Sequence, residues 1–178
     1  MGRATYLIAA IFSGLLLGIL SAVSALGSYG LRPVANNPAW AEWQLAGNDT
    51  KLVYTLNHFL SGGQLPPPKL AQSFVRTTDE SGSRLRSDCV YLVEGKITPA
   101  RWWTMSVSQA GGLSAHSVLT AGEAIVDQDD SLKVTISTRP MPGNWLEPDG
   151  SNISLVYVVN EAQNGQIVEL PSVTKKGC

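Results

Sequence analysis

The N-terminal stretch of the chain is the feature that most limits how it can fold. No charged residue occurs between Arg3 and Arg32, and the sequence is apolar from about Tyr6 to Leu26. In a helix, about 20 apolar residues are enough to cross the roughly 30 Å hydrocarbon core of a bilayer. We therefore predict a transmembrane signal anchor over residues 1–27.

A cleavable signal peptide is the alternative interpretation of this stretch. Residues 22–25 read Ala-Val-Ser-Ala, which suits a cleavage site. However, the apolar run is longer than a signal-peptide core, which has about 7–15 residues, so an uncleaved anchor is favoured. Arg3 then keeps the N-terminus in the cytoplasm, although Arg32 on the far side makes the charge difference small. We expect the following domain in the periplasm of a bacterium, anchored in the inner membrane.

Small residues recur along one face of the predicted helix. Gly14, Gly18 and Ala22 are spaced four residues apart, and such faces let two membrane helices approach closely. The pattern predicts packing against other integral membrane subunits, in addition to contact with the lipid bilayer. The alternative is that small residues are simply common in membrane helices.

Charge and cysteine content limit the partners and the compartment. The 178 residues have a formal net charge of -1, and nucleic-acid binding would require a basic stripe, so no nucleic-acid partner is expected. An oxidising compartment would permit a disulfide between the two cysteines, Cys89 and Cys178. That bridge would contribute at most about 4–5 kcal/mol on the loop-entropy model. The alternatives are two free thiols, or a bond from Cys178 to another chain.

Residues 28–48 show no sustained hydrophobic period and are interrupted by Pro33 and Pro38. This stretch is predicted to be a juxtamembrane connector. Trp40 and Trp43 are expected to anchor it at the level of the lipid headgroups, where amphipathic rings are enriched. The alternative is that these side chains pack on the domain.

The remaining residues, 49–178, are predicted to form the periplasmic domain. Its first element is a short amphipathic helix, which Asn48 or Asp49 can cap and which Gly62 ends. The apolar face of this helix follows the helical period and consists of Leu52, Leu56, Phe59 and Leu60.

After residues 66–68, which are all proline, the sequence turns to short runs rich in β-forming residues. Several short strands at a spacing of about ten residues indicate a β-sandwich or a barrel. The runs are SFVRTTD, CVYLVEG, RWWTMSV, HSVLTAG, EAIVD, LKVTIST, ISLVYVVN and QIVEL. The domain is therefore expected to be mainly β.

Aromatic and proline motifs in this region resemble one family, the domain of unknown function 1214 family. The motifs are LPP before the first strand, the spaced run from Cys89 to Gly95, PARWWT from Pro99, and NWLEP from Asn144. The chain is similar in particular to a short, single-pass, membrane-anchored proteobacterial branch, over about residues 50–178. The resemblance implies an antiparallel jelly-roll-like β-sandwich. It implies no activity, and the upstream domain of unknown function 1254 of longer relatives is missing from this sequence.

No motif in the sequence indicates a particular chemistry. A hydrolytic triad could use only His58 or His116, and no nucleophile elbow accompanies them. The two histidines and two cysteines lack the spacing of a zinc site. The aspartates in DQDD lack the glycine and glutamate of an EF-hand loop, which favours a hairpin turn. We therefore predict no catalytic residue, no metal and no cofactor.

The adjacent tryptophans of RWWTMSV are the main candidates for contact with a partner. Strand alternation sends Trp103 to the core and Trp102 to the opposite face. Trp102, with Arg101 beside it, is predicted to contact a partner protein, a lipid headgroup or a sugar. Trp145, in a predicted loop, is the second candidate. The alternatives are that the proline segment or the connector covers Trp102, and that Trp145 is buried.

The sequence leaves three functional hypotheses. The first is a single-pass inner-membrane protein whose periplasmic β-sandwich is a non-catalytic accessory or structural subunit, docked on a larger membrane protein complex. The alternative is a periplasmic ligand-binding module in which a sugar or a lipid stacks on an exposed tryptophan. The third is an enzyme of unknown type, which the lack of catalytic motifs makes the least favoured.

Overall fold

A computed structural model describes residues 2–28, 31–43, 71–110, 115–162 and 168–178 of the chain. Within these ranges the protein is mainly β, with two sheets and one N-terminal helix, α1, from Arg3 to Ser28. The strands are β1 (Leu31–Val34), β2 (Asn37–Trp43), β3 (Ala71–Arg76), β4 (Val90–Lys96), β5 (Ala100–Gln109), β6 (Ala115–Thr120), β7 (Ser131–Ile136), β8 (Asn144–Leu146), β9 (Ile153–Ala162) and β10 (Ser172–Gly177). The amphipathic helix predicted after Asp49 lies outside the described residues.

Helix α1 is long and apolar enough to cross a membrane, as expected from the sequence. Its 19-residue span from Tyr6 to Ser24 has a mean hydropathy of 2.3, and none of it is buried inside the protein. Ser13 donates its hydroxyl to the carbonyl of Ala9 at 2.8 Å, so this polar group is satisfied within the helix. The helix is therefore a membrane anchor or a signal sequence.

The strands form two sheets that share one core. The six-stranded sheet has the order β1-β2-β3-β9-β5-β6, and the four-stranded sheet has the order β10-β4-β7-β8. One cluster of buried side chains includes Phe74, Met105 and Tyr157 from the first sheet and Tyr91 and Val134 from the second. The prediction of a mainly β, sandwich-like fold is therefore confirmed.

Strand alternation along β5 and β9 builds much of this core. Trp103 and Met105 of β5 are buried, and they pair with Val159 and Tyr157 of β9. The ring centroids of Trp103 and Tyr157 lie 6.1 Å apart in a tilted arrangement, which aromatic pairs favour. Burial raises the pKa of Tyr157 to about 12, because the phenolate would lose its hydration. The inward position predicted for Trp103 is confirmed.

The stretch predicted to be an irregular connector forms a hairpin instead. β1 pairs with β2, and β2 pairs with β3, where Trp40 lies opposite Arg76. Trp40 is fully buried, and its Nε1 donates to the carbonyl of Pro171 at 2.9 Å. Trp40 is therefore a core residue and not a headgroup anchor, because the fold buries its indole and also pairs its N–H. The side chain of Trp43 lies outside the described part of the chain.

Two short elements in the second half of the domain also differ from the prediction. The run EAIVD, predicted to be a strand, is mostly irregular and makes one isolated bridge, between Val126 and Leu132. The loop expected around Trp145 contains β8, which runs parallel to β7, so the four-stranded sheet is not purely antiparallel. Asn144 stabilises this arrangement, because its side-chain amide exchanges hydrogen bonds of 2.6 and 2.7 Å with the backbone of Ile125. Such a distant contact leaves no local pattern in the sequence.

The C-terminal strand β10 lies further along the chain than the predicted run QIVEL. It pairs with β4, and the backbone of Val173 exchanges two hydrogen bonds of 3.0 Å with the backbone N–H and the carboxylate of Glu80. A disulfide joins Cys89 to Cys178 just beyond this strand, so the predicted bridge is confirmed. Disulfides persist in oxidising compartments, so the bridge indicates an extracytoplasmic domain.

Candidate functional site

Trp102 lies near the start of β5, on the side of the six-stranded sheet that points away from the core. It is 47 % exposed, whereas the adjacent Trp103 is 4 % exposed. Trp102 pairs with Asn160 of β9, which in turn pairs with Ala71 at the start of β3. These residues form one row at one end of the sheet. The structure therefore separates the two tryptophans in the way that strand alternation predicts.

The residues around Trp102 on this side of the sheet are uncharged. Cross-strand pairing places Val75, Val156 and Val118 in one row, and Val158 lies in the row between them and Trp102. We use the term outer face for the outward residues Ala41, Ser73, Val75, Trp102, Thr104, Ser106, Val118, Thr120, Val156, Val158 and Asn160. Most of them are half-buried, and Val118 is 49 % exposed. Apolar and small polar groups, without charge, therefore make up this surface.

Arg101, which was predicted to act together with Trp102, has a different partner. Its Nη1 lies 3.1 Å from Oε2 of Glu161, and both side chains are largely exposed. An exposed ion pair of this kind contributes at most about 1 kcal/mol. Because neighbouring residues in a strand point to opposite faces, Arg101 and Trp102 leave β5 in opposite directions. The structure does not bring these two side chains together.

Trp145 lies in the short strand β8 and is half-buried. Its Nε1 donates to the carbonyl of Ser137 at 2.7 Å, and the backbone N–H of Ser137 donates to the carbonyl of Leu146 at 3.2 Å. The indole therefore braces the connection between β7 and β8. Its only hydrogen-bond donor is used inside the protein, which favours a structural role over ligand stacking.

Gly14 and Gly18 leave an open strip along helix α1. A Cβ atom added at either glycine would meet no other atom within 4 Å, and Ala22 on the same side is exposed. The described part of the domain therefore does not pack on this strip. Its small side chains leave room for close approach by another helix.

Arg76 is a buried charged residue that no sequence pattern singled out. It is 1 % exposed, and its guanidinium carbon lies 5.9 Å from the ring centre of Trp40, within the range of a cation–π interaction. Its Nε donates to the carbonyl of Thr78 at 2.7 Å, and its Nη2 donates to Glu80 at 2.9 Å. Since Glu80 also holds β10, Arg76 links the two sheets. An arginine at the end of a strand was the only signal in the sequence.

Asp79 shapes the loop that follows Arg76. Its Oδ1 accepts hydrogen bonds from the N–H and the hydroxyl of Ser81, at 2.8 and 2.6 Å, and from the N–H of Ser83 at 3.1 Å. Burial by itself raises the pKa of Asp79, but these hydrogen bonds and the charge of Lys175 together hold the pKa below its usual value of 3.8. The carboxylate is therefore ionised at neutral pH and fixes the loop.

Several of the other charged groups pair with one another. A shallow cavity of about 500 Å³ is lined by Arg86, Ser87, Asp88, Gly150, Ser151 and Asn152. Arg86 and Asp88 form an ion pair there, and Nδ1 of His116 lies 3.9 Å from the carboxylate of Asp149. Within the described ranges, no three His, Cys, Asp or Glu side chains are close enough together to hold a metal ion.

Comparisons with known proteins show similarity in fold. No family model and no curated protein match the chain. A solved protein of Vibrio parahaemolyticus is similar to 98 % of this chain and 46 % of its own length, with a TM-score of 0.59 and 13 % identity. An uncharacterized protein from Burkholderia cenocepacia is similar to 63 % of this chain and 31 % of its own, with a TM-score of 0.49 and 16 % identity. The chain thus spans less than half of each solved structure, and the likeness to the Vibrio protein shows the fold alone.

Proposed function

We propose that the protein is a single-pass protein of the bacterial inner membrane that acts as a non-catalytic accessory or structural subunit, docked on a larger membrane protein complex. Its N-terminus lies in the cytoplasm, and its β-sandwich lies in the periplasm. The observation that carries the proposal is helix α1, an apolar span of membrane length that is not buried inside the protein. We also propose jelly-roll connectivity and membership of the domain of unknown function 1214 family, on the motifs in β4, β5 and β8.

The open strip on the helix supports docking to another membrane subunit. In lipid, helices associate through close van der Waals packing, because the hydrophobic effect does not drive them together. The strip formed by Gly14, Gly18 and Ala22 suits this packing, and the described part of the domain leaves it unoccupied. A helix of another subunit is the partner that fits it.

The disulfide supports the periplasmic location of the domain. The bond between Cys89 and Cys178 requires an oxidising compartment in order to form and persist. In a bacterium with two membranes that compartment is the periplasm. A reporter that is active only outside the cytoplasm, fused after Cys178, is expected to be active. Activity of a reporter that works only in the cytoplasm would contradict the topology.

Enlarging the strip on α1 tests the docking. The double substitution of Gly14→Leu and Gly18→Leu adds bulk where the helices would meet. The matched control, Leu16→Phe with Leu20→Phe, adds bulk to the opposite side of the helix. After extraction in a mild detergent, native mass spectrometry of the wild type and the control is expected to show co-purifying membrane subunits, which the glycine variant loses. A wild-type protein that is a clean monomer would contradict the proposal.

A periplasmic ligand-binding module is the second candidate, and the exposure of Trp102 favours it. An indole that is 47 % exposed on an uncharged face offers a stacking surface for a sugar or a lipid. On this candidate, Trp102→Ala abolishes binding and leaves the melting temperature unchanged. Trp145→Phe serves as the control and retains binding. An equal loss of binding and of thermal stability in Trp102→Ala would make the residue structural.

A further inference from the structure

The C-terminal strand β10 lies at the edge of the four-stranded sheet and buries few side chains. Among the described strands it pairs with β4 alone. Of its six residues only Val173 is buried, and Cys178, which follows the strand, is exposed as well. Burial of apolar side chains is the main favourable contribution to folding. Beyond Val173 the strand therefore depends on backbone hydrogen bonds and on its covalent link.

The segment that leads into β10 is held more firmly than the end of the strand. The carbonyl of Pro171 accepts the hydrogen bond from Trp40, and a Cβ atom at Gly95 would lie 2.8 Å from the Cα of Pro171. Val173 is fully buried and is paired with Glu80 through its N–H and its carbonyl. None of these contacts involves the disulfide. The chain up to Val173 is therefore expected to keep its place without the bond.

The last five residues of the chain, 174–178, are held mainly by pairing with β4 and by the bond from Cys178 to Cys89. The pairing is irregular, because its register shifts between Lys175 and Gly177. Terminal segments with few buried apolar contacts open at a low cost in free energy. The disulfide is therefore the principal restraint on residues 174–178, which we call the C-terminal tail.

The two cysteines of the bond differ in their surroundings. Cys89 is 2 % exposed and belongs to the core cluster, whereas Cys178 is exposed. Access is one of the factors that decide which sulfur an incoming thiolate attacks, so attack is favoured at Cys178. Oδ1 of Asp88 lies 3.6 Å from Sγ of Cys89. A hydrogen-bond acceptor is therefore in place for the Cys89 thiol that reduction forms.

We propose that the bond between Cys89 and Cys178 is a redox-sensitive latch on the C-terminal tail, which a dithiol reductant of the thioredoxin type opens. One thiolate of the reductant attacks Sγ of Cys178, the bond breaks, and Cys89 leaves as a thiolate that takes up a proton. The second thiol of the reductant then displaces Cys178. The reductant ends as a disulfide, and two electrons and two protons have passed to the chain. The tail is released while the sandwich stays folded.

Release of the tail uncovers the edge of β4. A strand at an open edge presents unpaired backbone N–H and C=O groups, to which another extended segment can pair. The latch thus couples the redox state of the compartment to the accessibility of β4. This inference goes beyond the proposed function, because it concerns the C-terminal strand and does not depend on what helix α1 docks on.

Hydrogen exchange on the full chain in detergent, before and after treatment with dithiothreitol, tests the proposal. Amides of residues 174–177 are expected to exchange about tenfold or more faster after reduction, whereas amides of β5 and β9 keep their protection. Cys178→Ser is expected to show the fast exchange without reductant and to be insensitive to dithiothreitol. Protection at 174–177 that survives reduction would overturn the proposal. Loss of protection in β5 and β9 would overturn it as well, because the bond would then hold the whole domain together.

Reduced glutathione, which has a single thiol, identifies the sulfur that is attacked. The folded wild type is incubated with it, and the remaining thiols are then blocked with N-ethylmaleimide under denaturing conditions. Peptide mass spectrometry is expected to find glutathione on Cys178 and maleimide on Cys89. The control is the protein unfolded in urea, in which both cysteines react with glutathione. Glutathione mainly on Cys89, or a folded protein that does not react where the unfolded protein does, would overturn the proposal.

Discussion

The two sheets of the sandwich present different surfaces to their surroundings. The outward side of the four-stranded sheet carries Glu94, Lys96 and Lys133, and Nζ of Lys133 lies 3.8 Å from Oε1 of Glu94. The outer face of the six-stranded sheet carries valines and Trp102 and no charge. Both sheets contribute to one core, so the two differ in the side chains that they turn outward. The four-stranded sheet therefore presents a charged outward side, as is usual for a sheet face in water, whereas the outward side of the six-stranded sheet is uncharged.

Reinforcement of the fold also differs between the sheets. In the four-stranded sheet a disulfide reinforces the pairing of β4 with β10, because Cys89 immediately precedes β4 and Cys178 immediately follows β10. The six-stranded sheet depends on aromatic packing between Trp103 and Tyr157 and on the buried Trp40. Substitutions in the first sheet therefore test close backbone contacts, and substitutions in the second test burial of side chains.

The largest effect is expected from the two tryptophans of β5. Trp103→Ala removes a buried ring from the core and is expected to lower the free energy of unfolding by about 3–5 kcal/mol. Trp102→Ala is expected to lower it by about 1–2 kcal/mol, because a half-exposed ring has fewer contacts to lose. Urea denaturation followed by circular dichroism measures both. Equal losses would remove the distinction between core and outer face, and no loss in Trp102→Ala would favour the ligand-binding candidate.

A smaller effect is expected at Gly95 in the four-stranded sheet. A Cβ atom at this position would lie 2.8 Å from the Cα of Pro171, so Gly95→Ala forces the segment that leads into β10 to move. We expect a loss of about 1–3 kcal/mol in the free energy of unfolding. Gly122→Ala, where a Cβ would meet no atom within 4 Å, is the control and is expected to change stability by less than about 0.5 kcal/mol. If Gly95→Ala leaves the free energy of unfolding unchanged, the contact between β4 and the segment at Pro171 is not rigid.

Charge insertion compares the two outward sides directly. Val156 and Leu92 are both half-buried on the outward sides of their sheets, in the central strands β9 and β4. Val156→Lys is expected to cost about 1–2 kcal/mol, because it places a half-buried charge among uncharged side chains. Leu92→Lys, on the side that already carries Glu94 and Lys133, is expected to cost less than about 0.5 kcal/mol. Thermal unfolding of both variants provides the measurement. Similar losses of stability in the two variants would show that the two outward surfaces do not differ in how they accommodate a charge.

The smallest effect concerns pH and the loop between β3 and β4. The pKa of Asp79 lies below its usual value of 3.8, so its ionised form stabilises the folded state at any pH above that value. This contribution is lost as the pH falls from 3.8 through the lower pKa of the folded state. Asp79→Asn is therefore expected to be less stable than the wild type at pH 7, and the difference is expected to shrink near pH 3. A difference that stays constant with pH would contradict the assigned role of the carboxylate.

Local patterns predicted a large part of the fold. The length of the apolar run predicted helix α1, and alternation predicted which way Trp102 and Trp103 point. The prediction of the disulfide was successful because the chain has two cysteines and an apolar leader that suits an oxidising compartment. Where a strand depends on a distant contact, as β8 depends on the hydrogen bonds between its own Asn144 and Ile125, the local pattern failed. The candidate site was only half predicted, because Arg101 was grouped with Trp102 by adjacency although it faces the other way.

The sequence by itself determined the elements whose signal lies in neighbouring residues: the apolar helix, most of the strands and the direction of each side chain along β5. Only the tertiary structure decided that Trp40 belongs to the core and that Arg76 is buried beside it, since these residues meet by pairing β2 with β3. It also decided that Val75, Val118 and Val156 share one uncharged face. Each valine is ordinary in its own strand. Their common surface exists only because strand pairing brings distant segments into one row.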